Sequence, residues 1–325
     1  MKKILVTGGA GFIGANLTQR LIELNHKVLV VDSLKTIGGI PYINPRSKFL
    51  KGDITKKDIF NKIKKWKPEI IYHLAAQSGG ESSYDDPKYD YLSNGYGTYM
   101  MASLAKEIKV KKFIYTSSVA VYGSCKNKVT ENAKINPDSL YGVSKYIGEM
   151  FIKQILHPEK IKTIIFRLSN TFGPGEDLLF LKKGMVKIYS SYVWKKKPII
   201  VKGSLNRLRN INYIDDCVNI LILSLNNKKL NKNEIFNLCS DKLIKVKDLI
   251  NKILKTQNLK KYSIVVKKST KGDSFNFNSS NKYLKKKFNN YRFLSLDYGL
   301  KKYFDWINKI PPSVYSLKNY HPFKK

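Results

Sequence analysis

Arginine is scarce in this chain, although basic residues are abundant. Only six of the 60 lysine and arginine residues are arginine. Because the arginine fork is the usual reader of bases and phosphates, the net charge of +36 does not by itself predict a nucleic-acid partner. Lysine is spread through every predicted element, which is typical of a compositional bias. The positive field would still attract polyanionic substrates or an anionic membrane surface.

The chain also lacks the patterns of secreted, membrane-spanning and metal-binding proteins. Its three cysteines are far apart and odd in number, so we expect reduced thiols in a cytoplasmic protein. Its four histidines show no ligand spacing, so no metal site is predicted. The first apolar run, at residues 4–6, is too short for a signal peptide. No window approaches the roughly 18 apolar residues of a spanning helix, so no membrane insertion is expected.

The first half of the chain alternates short apolar strands with amphipathic helices. This alternation predicts an α/β fold with a doubly wound parallel (Rossmann) sheet, which binds ligands at the carboxyl ends of its strands. The first helix is predicted at 12–24, and the predicted strands are 3–7, 27–32, 48–53, 70–75, 112–118 and 163–169.

After about Phe172 the chain is turn-rich and its strands are irregularly spaced, which predicts a smaller C-terminal lobe that binds the substrate. We assign residues 1–170 to the sheet domain, with roughly 211–238 returning to it. Residues 171–210 and 239–325 would then form the second lobe.

The segment "VTGGAGFIGANL" carries Gly8, Gly11 and Gly14 between the first strand and the first helix. Such a loop turns tightly and lets the backbone approach a pyrophosphate at the helix start. Asp32 ends the second strand about 20 residues later, where a carboxylate accepts ribose hydroxyls and repels a 2′-phosphate. The pattern predicts NAD rather than NADP, although the nearby Lys35 leaves NADP open.

Tyr141 and Lys145 are four residues apart and share one face of a predicted helix. On a surface such a pair needs no function. In a site, the cation would stabilise phenolate and bring a tyrosine pKa of about 10 toward working pH.

Together these motifs resemble the extended short-chain dehydrogenase/reductases, and within them the NAD-dependent nucleotide-sugar epimerases and dehydratases, UDP-glucose 4-epimerase-like. The resemblance covers nearly the whole chain and includes "GDI" at 52–54, "HLAAQ" at 73–77, "NGYGT" at 94–98, "TSSVAVYG" at 116–123, "RLSNTFGPG" at 167–175 and "RLRNINYIDD" at 207–216. It implies that NAD is contacted by Gly8, Gly11, Phe12, Ile13, Gly14, Asp32, Asp53, Ile54, Leu74, Ala75, Ala76, Gln77, Asn94, Ser117, Tyr141 and Lys145.

The resemblance also implies that Ser118, Tyr141 and Lys145 are catalytic. Tyr141 would take a proton from a sugar hydroxyl while hydride leaves the same carbon for NAD, and Lys145 would lower the tyrosine pKa and bind the nicotinamide ribose. Ser118 would hold the reacting oxygen in line, with Ser117 as the alternative if the register is wrong by one residue.

The residues after Ser118 distinguish the reactions of this family. Dehydratases have an acidic pair there, whereas Val119 and Ala120 have no proton chemistry, so 4,6-dehydration is disfavoured. We expect 4-epimerisation of a nucleotide sugar, with UDP-hexose first, through a 4-keto intermediate in polysaccharide or glycoconjugate synthesis. A 4-dehydrogenase or 4-keto-sugar reductase would use the same residues. A non-catalytic NAD- or RNA-binding protein would not need all three.

For the substrate, the resemblance implies that Ser83 contacts the hexose and that Val201 runs along the base. Asn170 and Arg209 would hold the diphosphate. Asn170 could instead cap a loop, and Arg209 could instead pair with an aspartate at 215 or 216. Arg167 is expected to be structural, buried and paired.

One position departs from the family. Many UDP-hexose epimerases have a second diphosphate arginine where this chain has Thr270, so Lys268 or Lys271 would substitute as a point charge. The identity of the sugar and of the base (UDP, GDP or dTDP) therefore stays open. The resemblance also implies a homodimer formed by helices at about 90–109 and 141–157.

Overall fold

The computed structural model describes residues 1–35, 39–125 and 127–324. Its strands, β1 to β12 in chain order, are Lys3–Thr7, Lys27–Asp32, Lys48–Lys51, Ile70–His73, Lys112–Ser118, Lys162–Leu168, Asn170–Phe172, Ile199–Lys202, Leu208–Tyr213, Asn233–Leu238, Leu243–Lys245 and Ile264–Lys267. Its α-helices, α1 to α11, are Phe12–Glu23, Phe60–Trp66, Gly80–Asp85, Pro87–Tyr91, Gly97–Glu107, Leu140–Leu156, Met185–Trp194, Ile214–Leu223, Val246–Thr256, Lys282–Lys287 and Leu296–Ile307.

Seven parallel strands form the central sheet, in the order β3-β2-β1-β4-β5-β6-β10. The predicted α/β class with a doubly wound parallel sheet is confirmed. The strands β1, β2 and β5 have their predicted bounds, whereas β3 and β4 end two residues early, at Lys51 and His73. One further ladder bond follows each, from Gly52 N to Asp32 O and from Leu74 N to Thr7 O. Beyond these bonds the chain leaves the sheet at its carboxyl edge.

Both faces of the sheet are covered by apolar packing. Alternate residues of β1 point to opposite faces, as the two-residue period of a strand requires. Ile4 and Val6 belong to the core that includes residues of α1, α8, α9 and α11. Leu5 belongs to the core that includes residues of α2, α5 and α6. A strand buried on both sides reads as a continuous apolar run, which is why the sequence pattern was visible.

Two smaller sheets follow the sixth strand. One has the order β11-β9-β7, in which β7 and β9 are parallel, and the other pairs β8 with β12. The chain then returns to the central sheet, because β10 pairs with β6 along its whole length and α8 packs on α1. The division into two lobes with the stated boundaries stays a prediction. No helix within the three described ranges is long and apolar enough to cross a membrane.

A buried ion pair joins the sheet to α6. Arg167 of β6 donates from Nε to Glu149 Oε1 (2.9 Å) and from Nη2 to Glu149 Oε2 (2.7 Å). Its Nη1 donates to the hydroxyl of Tyr122 (2.7 Å). Both side chains of the pair are at most 2% exposed, so the expectation that Arg167 is buried and paired is confirmed.

We expect Arg167→Met to lower the free energy of unfolding by roughly 3–5 kcal/mol, because it leaves the Glu149 carboxylate buried without its partner. Lys252→Met removes an exposed ion pair with Asp297 and should cost less than about 1 kcal/mol. Urea unfolding of both variants measures the difference. Equal, small losses would contradict a structural role for the buried pair.

Candidate active site

A cavity of about 630 Å³ opens at the carboxyl ends of β1, β2, β4 and β5. Gly8 and Leu74 follow β1 and β4, and Asp32 and Ser118 end β2 and β5. This is the edge at which a doubly wound sheet binds its ligands. The cavity brings together most of the residues predicted from the sequence: Gly8, Gly11, Phe12, Ile13, Gly14, Asp32, Asp53, Ile54, Leu74, Ala75, Ala76, Gln77, Ser117, Ser118, Tyr141, Lys145, Asn170 and Arg209.

The glycine loop leaves no room for side chains at its first and last glycines. Gly8 has a φ of +68°, and a Cβ there would lie 2.6 Å from Ala75 N. A Cβ on Gly14 would lie 2.1 Å from Gly8 O, which would separate α1 from the loop. These close contacts explain why both positions are glycine, and they leave the loop backbone facing the cavity.

Asp32 lies beside this loop, and both of its carboxylate oxygens accept backbone N–H groups. Oδ2 accepts from Ala10 (3.0 Å) and Oδ1 accepts from Leu34 (2.8 Å). Burial raises the pKa of Asp32, and these two bonds oppose the shift. Lys35, which left NADP open, instead pairs with Asp53 at 3.7 Å. The geometry therefore favours an adenosine ribose without a 2′-phosphate.

Three buried polar atoms of residues on the cavity wall lack a hydrogen-bond partner in the described part of the chain. They are Gln77 Oε1, Ser82 Oγ and Ser169 Oγ. Since buried polar groups are nearly always paired, these atoms indicate that the cavity is built for a polar ligand. The narrow glycine loop, Asp32 and these atoms fit a dinucleotide. Among the described residues, no cluster of histidine, cysteine, aspartate or glutamate could hold a metal ion.

The three residues predicted to be catalytic meet on one wall of the cavity. Helix α6 begins after Ser139, whose Oγ accepts from Gly142 N (3.1 Å), and it carries Tyr141 and Lys145. Ser118 is within hydrogen-bonding reach of the Tyr141 phenol. Ser117 Oγ is committed to Glu149 (2.7 Å), so the geometry favours Ser118 as the partner of the phenol.

The electrostatics of this trio differ from the sequence-based expectation. Burial raises the pKa of Tyr141 to about 12, and the Ser118 hydrogen bond only partly opposes it. The Lys145 ammonium lies over the ring of Tyr115, 4.3 Å from the centroid. Burial lowers the pKa of Lys145 to about 7, against the opposing charges of Asp90 and Glu149. Lys145 can therefore exchange a proton near neutral pH.

Asn94 is not on the cavity wall. It is fully buried in a π-helical turn, and its Nδ2 donates to Asp90 Oδ1 (3.1 Å) and to Ser144 Oγ (3.0 Å). Burial raises the pKa of Asp90 to about 6, and the nearby Lys145 lowers it in part. Asn94 thus lies behind the site, where it orients the carboxyl group of Asp90. Of the charges around Lys145, Asp90 has the largest effect on its pKa.

Ser83 also lies off the cavity, because its Oγ turns back to donate to Gly80 O (2.6 Å). Its neighbour Ser82 lines the cavity instead. Val201 is fully buried in the core, whereas Ile200 and Lys202 on either side of it line the cavity. The prediction on β8 was therefore one residue out of register, which in a strand means the opposite face.

The predicted diphosphate residues are only partly on the cavity. Lys268 and Lys271 are exposed and do not line it, whereas Thr270 does. Arg209 lines it and pairs through Nη2 with Asp273 Oδ1 (3.1 Å), so neither aspartate at 215 or 216 is its partner.

Arg207 was not predicted as a site residue, yet it lines the cavity and pairs with the same Asp273 carboxylate. The alternation of side chains along a strand would have predicted it. Arg207 immediately precedes β9 and is two residues from Arg209, so the two side chains are expected on the same face.

Lys183 was missed, and the sequence contains no signal for it. It lines the cavity and its Nζ donates to Ser78 Oγ. Burial lowers the pKa of Lys183 to about 7, with a further lowering from Lys187. Glu176 lines the same region, and burial raises its pKa to about 7. Only the tertiary structure brings these charges together.

We expect the stability of the protein, relative to a Lys145→Met variant, to rise as pH increases from about 7 to about 10. The folded-state pKa of Lys145, about 7, lies below its unfolded value of about 10.4. Between these values the unfolded chain binds more protons, so raising pH favours the folded state. Chemical unfolding of both proteins at several pH values tests this. A difference that does not change with pH would contradict the burial of this ammonium.

The chain resembles known proteins over most of its length. A model of the NAD dependent epimerase/dehydratase family matches residues 4–239. A relative from Methanocaldococcus jannaschii, provisionally named a UDP-glucose 4-epimerase, is 36% identical over 76% of this chain and 80% of its own. A human dTDP-D-glucose 4,6-dehydratase is 30% identical over 73% of this chain and 69% of its own.

Solved structures agree with these relatives. The UDP-glucose 4-epimerase of Thermotoga maritima, solved with UDP-glucose, has a TM-score of 0.88 at 28% identity and covers 94% of this chain and 99% of its own. The UDP-glucuronic acid 4-epimerase of Bacillus cereus, solved with UDP-glucuronic acid and NAD, has a TM-score of 0.86 at 27% identity and the same coverage. With the glycine loop, Asp32 and the Ser118–Tyr141–Lys145 trio on one cavity, the chain belongs to the NAD-dependent epimerase/dehydratase family.

Proposed function

We propose that this protein is an NAD-dependent 4-epimerase of a UDP-hexose. The observation that carries the proposal is the meeting of Ser118, Tyr141 and Lys145 on the wall of a cavity that also contains the glycine loop and two arginines. Such a cavity can hold a dinucleotide and a sugar nucleotide together. NAD, when bound, supplies a hydride acceptor that can return the hydride to the same substrate.

The roles of the three side chains follow from their surroundings. Tyr141 removes the proton of the C4 hydroxyl and returns it in the reverse step, as a general base and acid. Because the pKa of Tyr141 is about 12, its phenolate must be stabilised, and Ser118 is within reach to donate a hydrogen bond to it. Lys145 supplies a positive charge that can be gained or lost near neutral pH. Ser118 also orients the substrate hydroxyl toward Tyr141.

Epimerisation is favoured over dehydration by the residues that follow Ser118. Val119 and Ala120 are buried in a short 3₁₀ turn and carry no proton-transferring group. Dehydration needs acid–base groups beside the sugar carbons that lose water. The dehydratase relative leaves this alternative to the experiment below, as does a 4-keto-sugar reductase, which would release its oxidised or reduced product.

A proton NMR time course with a panel of nucleotide sugars and no added cofactor tests the reaction. We expect a C4 epimer to form from a UDP-hexose, because the 4-keto sugar would rotate and take the hydride back on its other face within one turnover. Accumulation of a 4-keto or a reduced product only after NAD or NADH is added would favour the reductase or dehydrogenase. A 4-keto-6-deoxy product would favour the dehydratase.

We expect Tyr141→Phe to lower kcat by at least about 10²-fold while NAD remains bound, because only the proton-transferring oxygen is removed. Ser118→Ala should lower kcat with little change in KM. Ser117→Ala separates the two serines, since that hydroxyl donates to Glu149, and it should lower kcat less than Ser118→Ala. Substantial activity in Tyr141→Phe would refute the assigned chemistry.

We also propose that the protein is a homodimer formed through α5 and α6. Tyr91, Tyr99, Val143 and Met150 are exposed on or beside these two helices. Tyr99 packs on Phe151 across them, with ring centroids 5.3 Å apart. Clustered exposed apolar side chains are typical of an association surface.

We also propose the division into two lobes at residues 170–171. A cytoplasmic location is proposed as well, and it is consistent with the three free cysteines.

Tyr99→Lys combined with Met150→Lys should convert the dimer to a monomer, because each places a charge in an apolar contact. Leu223→Lys, equally exposed but on α8, should leave the dimer intact. Light scattering coupled to size-exclusion chromatography gives the masses. A wild-type protein that elutes as a monomer would reject the proposal directly.

A further inference from the structure

Lys183 is a cation on the cavity wall whose charge is not balanced by an ion pair. Within the described ranges, seven basic side chains line the cavity: Lys35, Lys145, Lys182, Lys183, Lys202, Arg207 and Arg209. Five of them form ion pairs with carboxylates that line the same cavity. Of the other two, Lys145 belongs to the trio with Ser118 and Tyr141. Lys183 is the remaining one, and no carboxylate of the described residues lies within ion-pair distance of it.

The partner that Lys183 does have is neutral. Its Nζ donates to Ser78 Oγ. Its backbone packs against the next residue of that loop, since a Cβ on Gly79 would lie 3.2 Å from Lys183 Cβ. Burial and the charge of Lys187 lower the pKa of Lys183 to about 7, and Glu176 opposes this shift in part. The Glu176 carboxylate is itself influenced most strongly by Lys187, so it does not cancel the charge of Lys183.

The contact between Lys183 and Ser78 lies beside the reacting end of the cavity. Ser78 is on the loop that follows β4, and β4 is the neighbour of β5, which ends at Ser118. Gln77 Oε1 and Ser82 Oγ, on the same stretch of chain, are buried without a partner in the described residues. Because C4 of the sugar reacts at Tyr141, the sugar ring and its substituents are expected against this stretch.

An ammonium group in this position favours a sugar with a negative charge. An ammonium has three N–H donors, of which Ser78 uses one. A neutral hydroxymethyl group on the sugar would accept a hydrogen bond but would leave the buried charge without a counter-ion. A carboxylate would offset that charge and form hydrogen bonds that are roughly twice as strong. In a hexuronic acid the C6 carboxylate is attached to C5, the carbon next to the reacting C4.

We infer that the sugar of the substrate is a hexuronic acid, whose C6 carboxylate binds the Lys183 ammonium. The inference rests on the proposed function for the nucleotide sugar and for C4 as the reacting carbon, and it adds the class of sugar. Lys183 is then the residue that distinguishes an acidic sugar from a neutral one. Ser78 is a positioning residue, because its hydroxyl holds the ammonium at the cavity wall.

Isothermal titration of the NAD-loaded protein with UDP-glucuronic acid and with UDP-glucose tests the inference, since the two ligands differ only at C6. Below pH 7, where Lys183 is protonated, we expect UDP-glucuronic acid to bind at least about 10-fold more tightly. Lys183→Met should remove this preference, because it should weaken UDP-glucuronic acid by roughly 10- to 100-fold and UDP-glucose by less than about 3-fold.

Lys182→Met is the matched control. Lys182 is the adjacent lysine and also lines the cavity, but it is exposed and pairs with Asp85 at 2.7 Å. Its removal should therefore leave the preference for UDP-glucuronic acid unchanged. Loss of the preference in Lys182→Met as well as in Lys183→Met would overturn the inference, because it would show a general effect of positive charge.

Equal affinity of the wild-type protein for the two sugars, or binding of neither, would also overturn the inference. So would an equal loss of UDP-glucuronic acid, UDP-glucose and UDP in Lys183→Met, which would place the ammonium at the diphosphate. If Lys183→Met loses NAD or its thermal transition, Lys183→Arg decides the outcome, since it keeps the charge. A retained preference for UDP-glucuronic acid in Lys183→Arg supports the inference, and a lost preference overturns it.

The proposed function and this inference can fail separately. Binding of UDP-glucuronic acid that depends on Lys183, without any epimerisation in the NMR time course, would reject the proposed function and leave the inference standing. Epimerisation of UDP-glucose without a preference for the acidic sugar would support the proposed function and overturn the inference.

Discussion

The buried ion pair between Glu149 and Arg167 holds α6, the helix that carries Tyr141 and Lys145, against the sheet. It joins α6 to β6, and Ser117 at the end of β5 donates to the same carboxylate. Two charges removed from water are stable only when their hydrogen bonds are satisfied, and here both guanidinium-to-carboxylate bonds form. Tyr141 lies two turns before Glu149, so the pair ties the helix that carries the phenol to the strands beside Ser118.

Several ionisable groups near this ion pair are buried and shielded from water. Burial brings the pKa of Lys145 down to about 7 and that of Asp90 up to about 6, so both groups can change protonation near neutral pH. His73 stays neutral, since burial lowers its pKa to about 3, with a smaller effect from Lys145. Desolvation thus brings the pKa values of Lys145 and Asp90 toward neutral pH, and such shifts are common at functional sites.

The residues that the sequence identified well are those whose role depends on local backbone. Gly8 and Gly14 are explained by close backbone contacts within one loop, and Asp32 by its place at the end of a strand. Val201 and Ser83 were misplaced because adjacent residues of a strand or helical turn face different ways. A motif that can be aligned one residue earlier or later does not show which of the two faces the cavity. Asn94 was assigned to the cavity but lies one layer behind it.

The sequence by itself determined the parallel sheet and the family and singled out Tyr141, Lys145 and the serine pair at 117–118, because apolar periodicity and ordered motifs are properties of short segments. Tertiary structure alone decided which charges meet. Lys183 and Ser78 are 105 residues apart, and Arg207 and Asp273 are 66 apart. It also decided that burial, rather than the neighbouring lysine, dominates the tyrosine pKa, since desolvation depends on every element packed around a side chain and not on its spacing along the chain.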